Sequence, residues 1–239
     1  EGSIRQAGFA PEEVTDVILT HLITYLNDPD SSLRRQFFDC IIGLGPFIGP
    51  TSLEQYVQPL MLQALNDPEE FVIAKAFEAF ASFAQLGLLK KSDNWNILKV
   101  AVRYTMHPNA WIRNNVFGLL TASISWTSPA ELHCTLYPIL KPFLDCEIKD
   151  FTTANLVRSF KKPLRRPVFR EALIWVSRAK KSIFWKLPAT GKDGSVEAEI
   201  NLVAPTSVDH IPKSSEDTQY LDHMYHSGVT VEDIWKISV

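Results

Sequence analysis

The sequence predicts an all-α fold, an α-solenoid of HEAT- or armadillo-like helical repeats with a partly disordered linker near its C-terminus. Prolines recur at nearly equal spacing, at Pro29, Pro68 and Pro108. Each proline lies between two stretches with helical apolar periodicity. A period near 40 with two helices per unit is typical of such repeats. The low glycine content, 10 of 239 residues, also argues against an all-β protein.

The second unit shows the pattern most fully. Pro68 is predicted to stop its first helix, because proline donates no backbone hydrogen bond and disfavours helix in the preceding residue. Asp67 can cap the second helix, and the acids Glu69 and Glu70 suit its positive N-terminal end. The predicted apolar face of the first helix is Leu53, Tyr56, Val57, Leu60 and Ala64. The predicted buried stripe of the second helix is Val72, Ala76, Phe80 and Phe83.

The other units repeat this arrangement in chain order. Trp111, at the start of the third unit's second helix, is predicted to pack against the preceding repeat. A weaker fourth unit without the turn proline begins with a helix over 131–144, and two more helices are expected over 150–160 and 167–181. The predicted apolar faces are Leu33, Phe37 and Ile41 in the first unit, Ile112, Val116, Leu120 and Ile124 in the third, and Leu132, Leu136, Leu140 and Phe143 in the fourth.

Polar residues at the turns predict a ladder between repeats. Arg34 and Arg113 stand five residues after their turn prolines, in a slot whose arginine often bonds a turn aspartate of the same or the next HEAT-type repeat. Asp28 and Asp67 are the candidate partners. Ile73 fills the slot in the second unit, so the predicted ladder is incomplete.

The chain is expected to divide into three parts. Residues 1–186 form the solenoid, with about four repeats plus a basic terminal helix. Residues 187–217 are an acidic flexible linker, because the composition is polar and lacks helical periodicity. Residues 218–239 are short helices, with Gly228 suited to a helix C-terminus and Thr230 and Asp233 resembling a capping box. A start without methionine and an end inside a predicted helix suggest a fragment leading to a further domain.

Catalytic chemistry finds little support in the sequence. A G-x-S-x-G motif, a glycine-rich phosphate loop and an H-E-x-x-H motif are all absent, so catalytic, cofactor-binding and metal sites are predicted as none, and cofactors as none. His133 and Cys134 would point in different directions on a helix. His223 and His226 beside Asp222 make at most a weak metal clip. Three widely spaced cysteines indicate a reducing compartment, and a net charge of −3 argues against nucleic acid.

One stretch, from Arg158 to Lys186, is strongly basic. It holds ten basic residues and one acid, Glu171, so it carries +9 while the remainder carries −12, which together give the total of −3. Such asymmetry suggests contact with an acidic protein surface or phospholipid headgroups, with nucleic acid as the less favoured alternative. The alternative is a solvated end face neutralised by the acidic linker. The candidate anionic-partner patch, expected to fan outward around two prolines, is Arg158, Lys161, Lys162, Arg165, Arg166 and Arg170.

Several stretches resemble one known family. "LITYLNDPDSSLRRQFFDCIIGLGPFIG", "EEFVIAKAFEAF", "HPNAWIRNNVFG" and "KKPLRRPVFREAL" are similar to the HEAT-repeat segment of the protein-kinase-like regulatory subunit of class III phosphatidylinositol 3-kinase. The resemblance covers most of residues 13–181 and resumes near Gly228. It implies a segment of a large subunit whose kinase-like domain and WD40 propeller lie elsewhere, so no catalytic residue carries over and this segment is expected not to be an enzyme.

The resemblance also implies partners and a location. These are the lipid kinase catalytic subunit and the coiled-coil subunits of autophagy and endosomal or vacuolar sorting, with peripheral contact to an anionic membrane. The expected location is cytoplasmic, peripheral on endosomal, vacuolar or autophagic membranes. The alternative function is a generic HEAT-repeat adaptor, such as a transport receptor.

Overall fold

The computed structural model describes residues 19–148, 150–178 and 215–238. Eleven helices, three of them with π or 3-10 turns, account for most of these residues, and the described ranges contain no named strand. An isolated antiparallel bridge joins Leu144 to Phe160. The predicted all-α repeat fold is therefore confirmed.

The helices follow the predicted pairs. In the first two units they are α1 (Thr20–Tyr25), α2 (Ser31–Ile48), α3 (Pro50–Ser52, a π turn Leu53–Val57, and Gln58–Ala64) and α4 (Glu70–Gln85). In the next two they are α5 (Lys91–Ala101, then a 3-10 turn Val102–Met106), α6 (Ala110–Ile124), α7 (Pro129–Glu131, a π turn Leu132–Leu136, Tyr137–Leu140, then a 3-10 turn Lys141–Phe143) and α8 (Thr153–Ser159). The last three are α9 (Arg166–Arg178), α10 (Ser215–His226) and α11 (Val231–Ser238).

The second helices of the units, α2, α4, α6 and α8, pack side by side in chain order. Their inward faces make one continuous core, in which the predicted stripe Val72, Ala76, Phe80 and Phe83 is fully buried. Ile112, Val116 and Leu120 are equally buried, and Ile124 is half-buried. Leu33 departs from the prediction and is exposed, because it lies in the first turn of α2, at the end of the described row.

α2 and α4 approach each other closely at Gly45. A Cβ atom added at Gly45 would lie 2.7 Å from the Phe83 ring. Gly43, two residues earlier in the same helix, has open space where its Cβ would be. The absence of a side chain at Gly45 is therefore what lets the Phe83 ring pack against the α2 backbone.

The first helices of units two and four share an unusual construction. Pro50 and Pro129 begin them, and a second proline, Pro59 or Pro138, follows nine residues later. In each helix the amide just before that second proline bonds the carbonyl five residues back, as in a π turn. Since proline has no amide hydrogen to donate, the widened turn keeps the helix continuous up to it.

Because of the π turn, the residues of α3 that face inward differ from those predicted. Tyr56 is half exposed, and Leu60 and Ala64 are only partly buried. A π turn advances the helix by one extra residue, so the inward positions fall four residues apart. The fully buried row is instead Leu53, Val57, Met61 and Leu65.

The last two helices form a hairpin. Gly228 ends α10 with φ of +79°, and the Val229 amide bonds the Met224 carbonyl at 3.1 Å. Thr230 and Asp233 form the predicted capping box, with the Asp233 amide 3.2 Å from Thr230 Oγ1 and the Thr230 amide 3.3 Å from Asp233 Oδ2. α10 begins at Ser215, inside the predicted linker 187–217. The rest of that linker, and the last residues of the helix predicted over 167–181, lie outside the described residues.

Candidate functional site

The inter-repeat turns share one hydrogen-bond pattern. The side chain just before each turn proline accepts a hydrogen bond from the backbone amide two residues later. Asp28 accepts from the Asp30 amide at 2.8 Å, and Asp67 accepts from the Glu69 amide at 2.8 Å. In the third turn His107 takes this role, with Nδ1 3.0 Å from the Asn109 amide. Each turn is thereby fixed locally before the second helix begins.

The predicted ladder is partly assembled. Arg34 donates to both carboxylate oxygens of Asp67, through Nε at 2.7 Å and Nη2 at 3.0 Å, and Nη1 donates to the carbonyls of Asp28 and Pro29. A bidentate pair of this kind fixes orientation as well as distance. Arg113 stays within its own turn, with Nη1 2.7 Å from the His107 carbonyl and 2.8 Å from that of Pro108.

The other two ladder positions do not link repeats. The Asp28 side chain stays in its own turn, where it accepts the Asp30 amide. Ile73, which fills the arginine slot in the second unit, is buried in the core. The ladder among these residues therefore has a single rung, from Arg34 to Asp67.

Glu70 makes a second link that the sequence prediction missed. The sequence pattern marks it only as a first-turn acid of α4, which it is. It also receives Asn109 Nδ2 at 2.6 Å and two bonds from the Arg166 guanidinium, and His107 Nε2 lies 4.0 Å away. One carboxylate thus joins the second unit, the third turn and α9. The partners lie 39 and 96 residues away, so no local pattern could have revealed them.

The surroundings lower the pKa values of both Glu70 and His107. The hydrogen bond from Arg166 lowers the pKa of Glu70 to about 2, with further help from Asn109. Burial lowers the pKa of His107 to about 4. The His107 ring packs edge-on against Phe169, with centroids 4.8 Å apart. The site at neutral pH is therefore an ionised carboxylate clamped by an arginine beside a neutral imidazole.

Three cations of the basic segment, defined here as residues 158–170, contact other parts of the chain, although the side chains of Arg165 and Arg166 remain 55% and 43% exposed. Lys161 Nζ lies 4.1 Å from the centre of the Trp235 ring, and Arg165 Nη2 lies 2.8 Å from Asp233 Oδ2. Arg166 is held by Glu70. These contacts form because the N-terminal end of α4 and the α10–α11 hairpin lie against the segment. Within the described ranges, the exposed residues Arg158, Lys162 and Arg170 form no ion pair.

The prediction that Trp111 packs against the preceding repeat is wrong, since its side chain is 65% exposed. Ile112, Val116 and Leu119 take the inward face of α6, and Trp111 shares the outer face with Asn114. Phe71 occupies the same position in α4, three residues after the turn proline, and is 45% exposed. Two large aromatic side chains therefore stand at equivalent positions of neighbouring repeats.

The possible metal and catalytic groups remain scattered. Among the residues that the structure describes, no cluster of three or more histidine, cysteine, aspartate or glutamate side chains could hold a metal ion. His226 Nδ1 lies 2.6 Å from the Asp222 carbonyl oxygen, and the His133 ring packs edge-on against Phe151. None of the described helices is both long enough and apolar enough to cross a bilayer.

Paired helices, locally fixed turns and links between consecutive units together define a helical-repeat protein of the solenoid class. Residues 7–173 match the family described as PIK3R4-like, middle domain. The chain belongs to this family, that of the regulatory subunit of class III phosphatidylinositol 3-kinase. The expected family resemblance is thereby confirmed.

Individual relatives agree with this assignment. The chain is 34% identical over 253 residues to a non-specific serine/threonine protein kinase of Candida glabrata, covering 96% of the chain and 18% of the relative. It is 36% identical over 241 residues to a putative serine/threonine-protein kinase VPS15 of Komagataella pastoris, with the same coverage. It is 31% identical over 188 residues to VPS15 of Saccharomyces cerevisiae, covering 65% of the chain and 13% of the relative. The chain spans less than a fifth of the length of these relatives.

Proposed function

We propose that this chain is a non-catalytic scaffold segment of the class III phosphatidylinositol 3-kinase regulatory subunit. It organises the lipid kinase catalytic subunit and coiled-coil subunits for autophagy and for endosomal and vacuolar sorting. This takes place at the cytoplasmic face of endosomal, vacuolar and autophagic membranes. Family membership and a repeat fold that offers an extended surface support this role. We place the kinase chemistry named for the relatives in parts of those proteins outside this segment.

The observation that carries the proposal is the aromatic pair Phe71 and Trp111. Aromatic side chains dominate binding energy at protein interfaces, and tryptophan is the most enriched. Phe71 directly follows Glu70, and Trp111 comes shortly after Asn109, so the backbone beneath the pair is held by the bond between those two side chains. Because this backbone is held in place, the pair can bind a partner with less loss of backbone freedom. We assign it to the lipid kinase catalytic subunit.

The test is a binding measurement between the full-length regulatory subunit and the lipid kinase catalytic subunit. Changing Phe71→Ala and Trp111→Ala together is expected to weaken binding roughly tenfold or more, since hot-spot truncations cost about 2 kcal/mol or more. The melting temperature should change little, because both side chains are largely exposed. The matched control is Tyr56→Ala with Leu86→Ala, which removes two other exposed apolar side chains.

The outcomes separate the competing functions. Equal binding by the aromatic and control variants would remove the aromatic pair from the interface. Failure of the unmodified subunit to bind the lipid kinase would remove the scaffold proposal itself. That result would favour a generic HEAT-repeat adaptor.

A second proposal concerns membrane contact, and the exposed cations of the basic segment support it. Arg158, Lys162 and Arg170 are exposed, and the segment contains six bases and no acid. Each base near an anionic membrane surface adds about 1 kcal/mol to binding. Changing Lys162→Glu and Arg170→Glu should therefore weaken binding to phosphatidylserine vesicles by roughly tenfold or more. The control is Lys90→Glu with Lys91→Glu, which makes the same change in net charge elsewhere. It also breaks ion pairs to Glu54 and Glu131, so its melting temperature is measured alongside. Equal loss in both variants would show that only net charge matters.

A further inference from the structure

The α10–α11 hairpin, residues 215–238, covers the middle of the basic segment. Its apolar side chains form a cluster with that segment, in which Ile234 is 1% exposed, and Trp235 also packs against Phe143 of the main core. Leu164 and Val168 of the segment pack against Leu221, Met224 and Ile234 of the hairpin. The hairpin thus buries apolar residues of the basic segment that would otherwise face solvent.

Polar contacts fix the hairpin over two particular cations. Arg165 Nη2 bonds Asp233 Oδ2 at 2.8 Å and the Gly228 carbonyl at 3.1 Å. Lys161 lies over the Trp235 ring, a favourable position for a cation. Asp233 also caps α11 through Thr230, so its carboxylate is already oriented when Arg165 meets it.

Charge complementarity supports the same pairing. The hairpin holds five acids, Glu216, Asp217, Asp222, Glu232 and Asp233, and one base, Lys236, so its net charge is −4. The basic segment carries +6 and no acid. An anionic membrane carries the same sign of charge as the hairpin, so both are attracted to the basic segment.

We propose that the α10–α11 hairpin is a releasable clasp that competes with anionic membrane for the basic segment. When the hairpin is docked, Lys161 and Arg165 are engaged and its own acids repel anionic lipid. When it is displaced, both cations join Arg158, Lys162 and Arg170 on one surface. This regulation rests on the membrane contact proposed above and adds an intramolecular competitor to it.

The test uses the whole chain with two matched substitutions in α11. Ile234→Asp places a carboxylate in the buried cluster, whereas Val231→Asp adds the same charge at a side chain that is 67% exposed. Ile234→Asp is expected to speed hydrogen exchange in α10, in α11 and in residues 160–168, while α4 and α6 keep their protection. Its binding to phosphatidylserine vesicles should exceed that of Val231→Asp by roughly 5- to 30-fold, about fivefold for each released cation.

Two further measurements identify the cause of any gain. Vesicles of phosphatidylcholine alone should bind both variants equally, because the gain is electrostatic and not a consequence of exposed apolar residues. Adding Lys161→Glu and Arg165→Glu to the Ile234→Asp variant should abolish the gain, since these are the cations that the hairpin engages.

Each alternative outcome has one meaning. Equal exchange in the two α11 variants would overturn the docked hairpin. Faster exchange without tighter binding to acidic vesicles would overturn the competition. Equal vesicle binding by the unmodified chain and the Lys162→Glu/Arg170→Glu variant would instead remove the membrane contact, and the regulation with it, while the exchange data would still report the hairpin's docking.

Discussion

At the scale of single residues, His107 shows how one turn differs from the other two. It accepts the amide that Asp28 and Asp67 accept in their turns. An aspartate at this place would put a second carboxylate near Glu70, whose oxygen is 4.0 Å from the imidazole. Like charges that close disfavour one another. A neutral imidazole preserves the turn and leaves Glu70 free to bind Asn109 and Arg166.

This arrangement predicts a loss of stability in acid. The pKa of His107 is lowered to about 4, so between its ordinary pKa near 6.5 and pH 4 the unfolded chain binds a proton that the folded chain does not. Stability therefore falls as the pH falls through this range. Glu70, with a pKa lowered to about 2, extends the loss from its ordinary pKa near 4.5 downward.

The variant His107→Asn should flatten the first part of this profile. Its amide oxygen can still accept the Asn109 amide but does not titrate. We expect its free energy of unfolding to fall between pH 7 and pH 4.5 by roughly 1–2 kcal/mol less than that of the unmodified chain. Urea titrations at pH 7, 5.5 and 4.5 measure this. His133→Asn is the control. If the profile of His107→Asn runs parallel to that of the unmodified chain, the buried imidazole is not the cause.

The sequence predicted these residues unevenly, for a physical reason. Helical periodicity identified Phe80 and Val116 as core, because the buried residues of a helix recur at a regular spacing along that helix. Trp111 lies in the first turn of α6, where the same periodicity does not say whether a neighbouring repeat covers it. Glu70 looked like an ordinary first-turn acid, since its partner Arg166 is distant in the chain.

At the scale of helices, the contact of α2 with α4 leads to opposite predictions for two glycines. Gly45→Ala should destabilise the chain by roughly 1–3 kcal/mol, because the new methyl group meets the buried Phe83 ring. Gly43→Ala should stabilise it by about 0.5–1 kcal/mol, because alanine favours helix and open space is available. Thermal unfolding of both variants measures the difference. The same sign for both would contradict the close approach.

The helices also show where a regular period misleads. An ideal period of 3.6 residues selected Tyr56 for the inward face of α3, and the π turn places it outward. A proline inside a helix, such as Pro59, disturbs it, but the sequence alone does not distinguish a kink from a widened turn. The capping box of α11 was predicted correctly because Thr230 and Asp233 interact within a single turn.

At the scale of the whole molecule, the row of units predicts a gradient of protection. α4 has a second helix packed on each side, whereas α2 has only one such neighbour among the described helices. In repeat proteins stability is the sum of each unit and its nearest-neighbour contacts. Amide hydrogen exchange should therefore be slowest in α4 and α6 and faster in α1 and in α10–α11. Uniform exchange across all helices would indicate a single cooperative unit instead.

The all-α repeat fold could be predicted from the spacing of the turns, since each turn is built from neighbouring residues. The return of residues 215–238 to the basic segment could not be predicted. It depends on which apolar surface lies unoccupied at the end of the row, and only the packed structure shows that.

Alternate units of the solenoid are alike in a way that adjacent units are not. Arg34 and Arg113, two units apart, bind the two carbonyls of their own turns through the same nitrogen. The prolines and π turns of α3 and α7 are separated by the same two-unit step. These features give the row a structural period of two units, or four helices, in addition to the single-unit period of its turns. Grafts or deletions that preserve this two-unit period should move two units at a time, not one.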